Sequence, residues 1–385
     1  DVYKRQSRKV SDFMKIKVMS VFGTRPEAIK MAPLVKALEN DPRFDSLITV
    51  TAQHREMLDQ VLEIFDITPD YDLDIMSTTQ TLTNITTKIL RQLFPIFKKE
   101  KPDLVLVHGD TTTTFAAATA AFYQKIKIGL VEAGLRTWQK YAPFPEEMNR
   151  QLTDVLADFY FTPTNLSRDN LLKENHPESQ IFVTGNTAID AMNYTITGDY
   201  QHARLPKDYE KIILVTMHRR ENIGEPMRNV FRGLAKIARE FPDVSIIFPM
   251  HKNPQVRLPA EEILGSLENV ELIEPLDVLD FHNFAAHSYL VLTDSGGVQE
   301  EAPSLGVPVF ALRDTTERPE GVAAGVLKLI GTNETSVYEE TKNILLHPEI
   351  QEEMSQKENP YGDGHASERI VEIISAAFSE VKVAM

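Results

Sequence analysis

The residues of this chain with the means to do chemistry stand in short polar runs, each placed directly after an apolar run. The most specific is Asp294-Ser295-Gly296-Gly297-Val298-Gln299-Glu300-Glu301. A Ser-Gly-Gly turn opening a helix presents backbone amides to phosphate oxygens, and Glu301, about one turn on, has the reach for two ribose hydroxyls. The run Arg313-Asp314-Thr315-Thr316-Glu317-Arg318 follows the next apolar stretch and adds two cations. His218, in Thr216-Met217-His218-Arg219-Arg220, titrates near neutrality and can donate to a phosphate; it reads equally as a satisfied strand-end histidine. In Gly23-Thr24-Arg25-Pro26-Glu27-Ala28-Ile29-Lys30 a glycine turn opens a helix, and Arg25 and Lys30 could meet a diphosphate. The run is neither a P-loop nor a G-x-G-x-x-G fingerprint, and a plain strand-to-helix turn with surface charges is its other reading.

The remaining runs supply carboxylates. His108-Gly109-Asp110 is followed by four threonines. A helix start uses one hydroxyl cap, so the excess suggests a polar wall for a sugar or phosphate with Asp110 as acid or base. The alternative makes Asp110 or Thr111 the cap. Glu132 ends an apolar strand, where a carboxylate is costly unless paired or functional. Glu146 and Glu147 open a helix, the ordinary place for acids, so the residues alone favour a structural role for Glu146. No metal-ligand set and no Ser-His-Asp arrangement stands out.

These runs need elements to hold them, and the sequence supplies strands and helices in alternation. Strands are expected at 16–22, 47–51, 104–108, 126–132, 159–162 and 181–185. The pattern restarts with strands at 212–216, 244–249, 270–273, 290–293 and 307–312. Helical periodicity marks 57–65, 82–97, 116–123, 227–240 and 368–378, and a helix starts at Pro26. The continuous apolar run 104–108 is the signature of a parallel strand covered on both faces. Alternation twice over predicts two doubly wound α/β domains, with ligands beyond the carboxyl ends of the strands and the site in the cleft between domains.

Composition sets outer limits. The 385 residues exceed one ordinary core. With 42% hydrophobic and 25% charged residues the chain is globular. There is no Cys, which excludes a disulfide framework, thiolate metal sites and a cysteine nucleophile. No apolar run approaches the ~20 residues of a membrane span. The net charge of −15 leaves no bulk basic footprint for nucleic acid. Residues 1–13 read as a polar extension or artefact before a start at Met14, too charged for a signal peptide, and a cytoplasmic protein is expected.

The same runs carry a family resemblance. GTRPEAIKMAPL, QHREML, LVHGDTTTT, VEAGLRT, FPEEMNR, VTGNT, HRREN, LTDSGGVQEEAPSLGVPV, RDTTERPE and PYGDGHAS resemble the non-hydrolysing UDP-N-acetylglucosamine 2-epimerases of bacteria, from about Met14 to the C-terminus. The resemblance implies a GT-B fold of two Rossmann-like domains, 14–188 and 189–365, with a helix over 366–385 crossing back to the first. It implies a homodimer that interconverts UDP-GlcNAc and UDP-ManNAc for surface polysaccharides; the residues themselves show no cofactor signature and no metal-ligand set, so neither is expected. C2 of the sugar has no neighbouring carbonyl, so the workable route expels UDP, removes the C2 proton to give 2-acetamidoglucal, and re-adds UDP with protonation from the other face.

By the resemblance Asp110, Glu132 and Glu146 form the acid/base group, which raises Glu146 from structural to catalytic, and His218 and Arg25 assist the diphosphate with Lys30 nearby. Ser295, Gly296 and Gly297 bind phosphates, Glu301 the ribose; Phe281 lies by the uracil and Arg318 near the nucleotide. Leu276 stands where some members have Gln. Gln53, Glu56, Arg220 and His251 match positions of an activator site for UDP-GlcNAc, although the segment 75–80 lacks the basic residue that some regulated members carry. A GT-B glycosyltransferase would share this fold and its carboxylates but needs an acceptor groove, of which the sequence gives no sign. A hydrolysing epimerase is only weakly separated, and a nucleotide-sugar sensor would not need the three carboxylates together.

Overall fold

The computed structural model describes residues 15–52, 55–76, 81–316 and 318–383. The expected extension 1–13, Gln53 and the stretch 77–80 lie outside them, as does the side chain of Glu56. The chain forms two compact units, one running to Thr187 and resuming at His365, the other Ala188–Gly364.

The first unit is built on seven parallel strands: β1 (Ile16–Phe22), β2 (Phe44–Val50), β3 (Tyr71–Asp72), β4 (Leu104–His108), β5 (Lys127–Val131), β6 (Phe159–Thr162) and β7 (Ile181–Val183), in the order β3-β2-β1-β4-β5-β6-β7. The connecting helices are α1 (Arg25–Glu39), α2 (Arg55–Ile64), α3 (Leu82–Glu100), α4 (Thr112–Tyr123), α5 (Glu146–Leu156) and α6 (Asn165–Lys173). All five residues of β4 are buried, the state of a central parallel strand covered on both faces. Ile85, Ile89, Leu93 and Phe97 form the buried face of α3 and pack with the alanines of α4 on one side of the sheet. Each such fully buried large side chain contributes about 1.5–3 kcal/mol.

The second unit begins with α7 (Thr187–Thr195) and holds six parallel strands: β8 (Lys211–Thr216), β9 (Val244–Pro249), β10 (Val270–Ile273), β11 (Leu290–Thr293), β12 (Val309–Ala311) and β13 (Leu327–Leu329), ordered β10-β9-β8-β11-β12-β13. Its helices are α8 (Glu225–Glu240), α9 (Pro254–Leu264), α10 (Val278–Ala286), α11 (Gly296–Glu301), α12 (Pro319–Ala324), α13 (Glu334–Leu346) and α14 (Pro348–Ser355). Strand β8 shows the two-residue period directly. Ile213 and Val215 enter the core beneath α8 and α13, and Ile212 and Leu214 enter the opposite core with Phe284 of α10.

The last helix, α15 (Ala366–Val383), lies in the first unit against α1, where the Arg43 guanidinium reaches Glu372 and, at 3.0 Å, the Ser375 hydroxyl. In each sheet the chain reverses direction between the first strand and its neighbour, β1 beside β4 and β8 beside β11. Those are the switch points at whose carboxyl ends such sheets bind ligands.

Several elements differ from the sequence reading. Strand β5 stops at Val131, so Glu132 lies one residue beyond the strand, at φ +64°. Helix α4 starts at Thr112 rather than 116, because the threonines are its first turn. The short β3 and β13 were not expected, having too few residues to show a period, and α6, α7, α9, α10, α12, α13 and α14 were also missed.

Candidate active site

In the first unit the runs after β1, β4 and β5 emerge from three adjacent strands. Glu132 is the centre of the cluster they form. Lys30, on α1, pairs its ammonium with Oε2 of Glu132, and the two side chains are only 14% and 9% exposed. His108 Nε2, on the last residue of β4, lies 3.8 Å from the same oxygen. Burial pushes the Glu132 pKa up, but Lys30 and its hydrogen bond and Arg150, joined by His108 only while its ring is charged, outweigh it and leave the carboxyl below its ordinary 4.5. Burial drives His108 down to about 4, with Lys30 and Arg150 adding to the fall and Glu132 and Asp110 opposing it. At neutral pH the cluster is therefore an anion held by an ammonium beside a neutral imidazole. The left-handed backbone at Glu132 is strained for a residue with a side chain, and such strain concentrates at functional sites.

Asp110 is held by Arg150 of α5, whose guanidinium pairs with Oδ2, and Asn149 donates to the Asp110 carbonyl at 2.9 Å. Asn149 and Arg150 come from the run that also carries Glu146. The two acids that open α5 have separate work. Glu147 is fully buried and accepts from the N–H groups of Thr137 and Trp138 at 3.0 and 3.1 Å and from the Gln151 amide at 2.9 Å. Burial would raise its pKa, and these donors hold it low instead. Glu146 is half-buried and makes no hydrogen bond or ion pair with the described residues. The structural acid of the pair is thus Glu147.

The threonine run is largely structural. Thr111 caps α4, accepting from the Thr114 N–H at 3.1 Å, so Asp110 is not the cap. The Thr111 hydroxyl donates to Oε1 of Glu27 at 2.6 Å; the Thr114 hydroxyl donates to the His108 carbonyl at 2.5 Å; Thr113 pairs with Thr51 at 3.0 Å. Glu27, buried and passed over in the sequence reading, also accepts from the N–H groups of Gly23 and Thr24 at 3.0 and 2.8 Å. It closes a capping box on α1 and ties the β1 turn to the β4 turn. Arg25, at the first position of α1, is exposed and has no partner among the described residues.

In the second unit the runs after β8 and β11 are locked together by Asp294. This fully buried carboxylate accepts from the His218 N–H at 3.0 Å, the Arg219 N–H at 2.9 Å and the Asn222 amide at 3.0 Å. The half-exposed His218 ring is thereby presented at the carboxyl edge of β8, stacked on His251 with centroids 5.7 Å apart. Ser295 precedes α11, its N–H donating to the Thr293 hydroxyl at 2.9 Å. A Cβ on Gly296 would sit 3.0 Å from Cζ of Arg318, so the missing side chain is what admits that guanidinium. Arg318 is oriented by Glu300 at 2.8 Å. Gly297 faces Glu301, whose carboxylate lies 3.5 Å from Nε2 of the buried His282. Phe281 precedes that histidine and is partly buried against the α10-side core.

Of the four candidate activator residues, Arg220 is exposed in a short turn after β8 and His251 accepts from the Asn253 N–H at 3.1 Å. Gln53 and the Glu56 side chain lie outside the described residues. The sequence reading passed over His108, Arg150 and Glu27. Each stands inside a run that was singled out, but their partners lie far along the chain.

Two doubly wound parallel units, each with its polar runs at the switch-point strands, define an α/β protein of the GT-B class. The glycotransferase of kitacinnamycin, at 12% identity and a TM-score of 0.63, shares that fold alone. The family model described as UDP-N-acetylglucosamine 2-epimerase matches residues 36–375. The UDP-N-acetylglucosamine 2-epimerase of Bacillus subtilis is 61% identical over 359 residues, covering 93% of this chain and 94% of that protein. The Escherichia coli K12 enzyme of the same name is 53% identical, covering 93% and 98%. The crystal structure of UDP-GlcNAc 2-epimerase from Neisseria meningitidis bound to UDP-GlcNAc is 51% identical, covers 93% and 99%, and superposes with a TM-score of 0.85. The chain belongs to the UDP-N-acetylglucosamine 2-epimerase family, as its motifs implied, and is an isomerase.

Proposed function

We propose that this enzyme interconverts UDP-GlcNAc and UDP-ManNAc by eliminating UDP to 2-acetamidoglucal and adding it back. The observation that carries the reading is the Glu132 cluster of a family member, a shielded, ionised carboxylate just after β5 that meets Lys30 from the helix after switch-point strand β1 and His108 from its switch-point neighbour β4. In the forward step the C2–H electron pair forms the C1–C2 double bond and the C1–O pair leaves with the diphosphate. A carboxylate takes the proton, and another returns one from the opposite face. Asp110, Glu132 and Glu146 are the acid–base group. Glu132 is charged at neutral pH, and Glu146, without a partner among the described residues, is available to move a proton. Lys30 gains from this exchange: as Glu132 takes up a proton, the ammonium is released to the charge growing on the diphosphate. His218 and Arg25 assist that charge. Ser295, Gly296 and Gly297 hold phosphates, Arg318 the nucleotide, Glu301 the ribose, and Phe281 the uracil.

Among the described residues no helix is long and apolar enough to cross a membrane. We place the enzyme in the cytoplasm, supplying ManNAc units for surface polysaccharide. Phe122 and Tyr123 of α4 and Leu152 and Val155 of α5 expose large apolar side chains on neighbouring helices, which supports a homodimer through that face. Proton NMR of UDP-GlcNAc with the protein in deuterium oxide tests the reaction. A UDP-ManNAc anomeric signal with deuterium at C2 is expected. Free ManNAc with UDP would mean hydrolysis instead. Asp110→Asn, Glu132→Gln and Glu146→Gln should abolish turnover and leave UDP binding intact; unchanged turnover refutes the assignment.

A further inference from the structure

The imidazole of His108 has no work in the scheme above, yet it is built into the core at a cost. The ring is 4% exposed at the end of a strand whose other four residues are apolar. Its Nε2 is buried without a hydrogen-bond partner. Leaving such an atom unsatisfied costs about 1–3 kcal/mol, and an apolar residue would fill the space without that cost. The residue is also anchored, since the Thr114 hydroxyl donates to its carbonyl at 2.5 Å. Nε2 faces Oε2 of Glu132 at 3.8 Å, longer than a hydrogen bond, so no proton is shared between them in this state. A proton placed between them makes a bond after a closure of about 1 Å.

We propose that His108 is a positioning residue for Glu132: its buried Nε2 is the acceptor for the carboxyl proton once Glu132 has removed it from C2. The inference rests on the reading of Glu132 as an acid–base group. The balance is complete. The proton goes to Oε2, whose O–H then donates to Nε2; the C2–H pair becomes the double bond; the C1–O pair departs with UDP. Four charged groups bear on the imidazole, the cations Lys30 and Arg150 and the anions Glu132 and Asp110. The two cations oppose a full positive charge on the ring, so the proton stays on the carboxyl and the bond runs from oxygen to nitrogen. The waiting acceptor makes Glu132 a stronger base and holds the proton in a buried place until it is returned.

The test compares H108F, which keeps the ring shape without an acceptor, with H108Q, which offers an amide oxygen, and with E132Q. Measured for each are kcat, KM, the pH profile of kcat/KM, UDP affinity by calorimetry and the circular dichroism spectrum. H108F should lose about tenfold or more in kcat, the scale of one hydrogen bond to the reacting base, with KM and UDP affinity nearly unchanged. Its acid limb should move to lower pH by about one unit, because the protonated carboxyl has lost its acceptor. H108Q should recover part of both. Should H108F keep wild-type kcat, or should kcat and UDP affinity fall together with the acid limb unmoved in both variants, the proposal is overturned. Turnover surviving in E132Q would instead remove the role of Glu132, and a wild-type enzyme without epimerisation would remove the functional reading.

Discussion

Replacing Lys30 by methionine keeps the aliphatic stem and deletes the charge, leaving Glu132 as a buried carboxylate without its nearest cation. Both side chains of the pair are under 15% exposed, so solvent screening does little to soften the loss. Removing one partner of such a pair costs about 3–5 kcal/mol. Arg150 still acts on Glu132 and brings the expectation to the lower end. For a unit of this size about 3 kcal/mol corresponds to a fall in Tm of roughly 6–12 °C. The pH dependence identifies the cause. In the wild type the Glu132 pKa is below 4.5, so its contribution is fully present above pH 4.5 and is lost as pH falls through the folded value. In K30M burial dominates and the folded pKa lies above 4.5, so the penalty is small below that pH and grows as pH rises above it. Calorimetry from pH 4 to pH 8 should show the two melting curves nearly together at the acid end and separating toward neutrality. A gap of constant size across that range would mean the loss is one of packing, and the electrostatic account would fail.

Glu147→Ala strands the N–H groups of Thr137 and Trp138. It should cost about 2–3 kcal/mol in unfolding experiments, with kcat falling because Glu146 loses its anchored turn, while UDP affinity stays. Gly296→Ala puts a methyl 3.0 Å from the Arg318 guanidinium, which Glu300 holds at 2.8 Å; UDP affinity should weaken about tenfold by calorimetry, with the melting temperature little changed.

Much of the architecture was legible because it is written in neighbouring residues. The apolar run 104–108 could only be a covered strand, and β4 occupies those residues. The twofold alternation of strand and helix needs no long-range knowledge either, and the Ser-Gly-Gly turn lies where the local pattern puts it, opening α11 after β11. Where the signal was short, as in β3, or the helix polar, as in α6 and α14, the period was too weak to read.

The roles of the polar residues were another matter. Glu146 and Glu147 are adjacent and chemically alike, and only the fold turns one inward to the N–H groups of Thr137 and Trp138 and leaves the other without a partner among the described residues. The threonine run could be read as a ligand wall or as a helix cap; Thr111 is the cap, and the run also braces Glu27, which arrives from a helix more than eighty residues earlier in the chain. Lys30 and Glu132 stand 102 residues apart. The sequence by itself determined the twofold strand–helix alternation, the long covered strands and which side chains could ever be charged, since those follow from backbone periodicity and intrinsic chemistry. The tertiary structure decided which carboxylate is paired, which is free and which imidazole is kept neutral. Those depend on burial and on the distance to an opposite charge, and both exist only once remote segments have packed together.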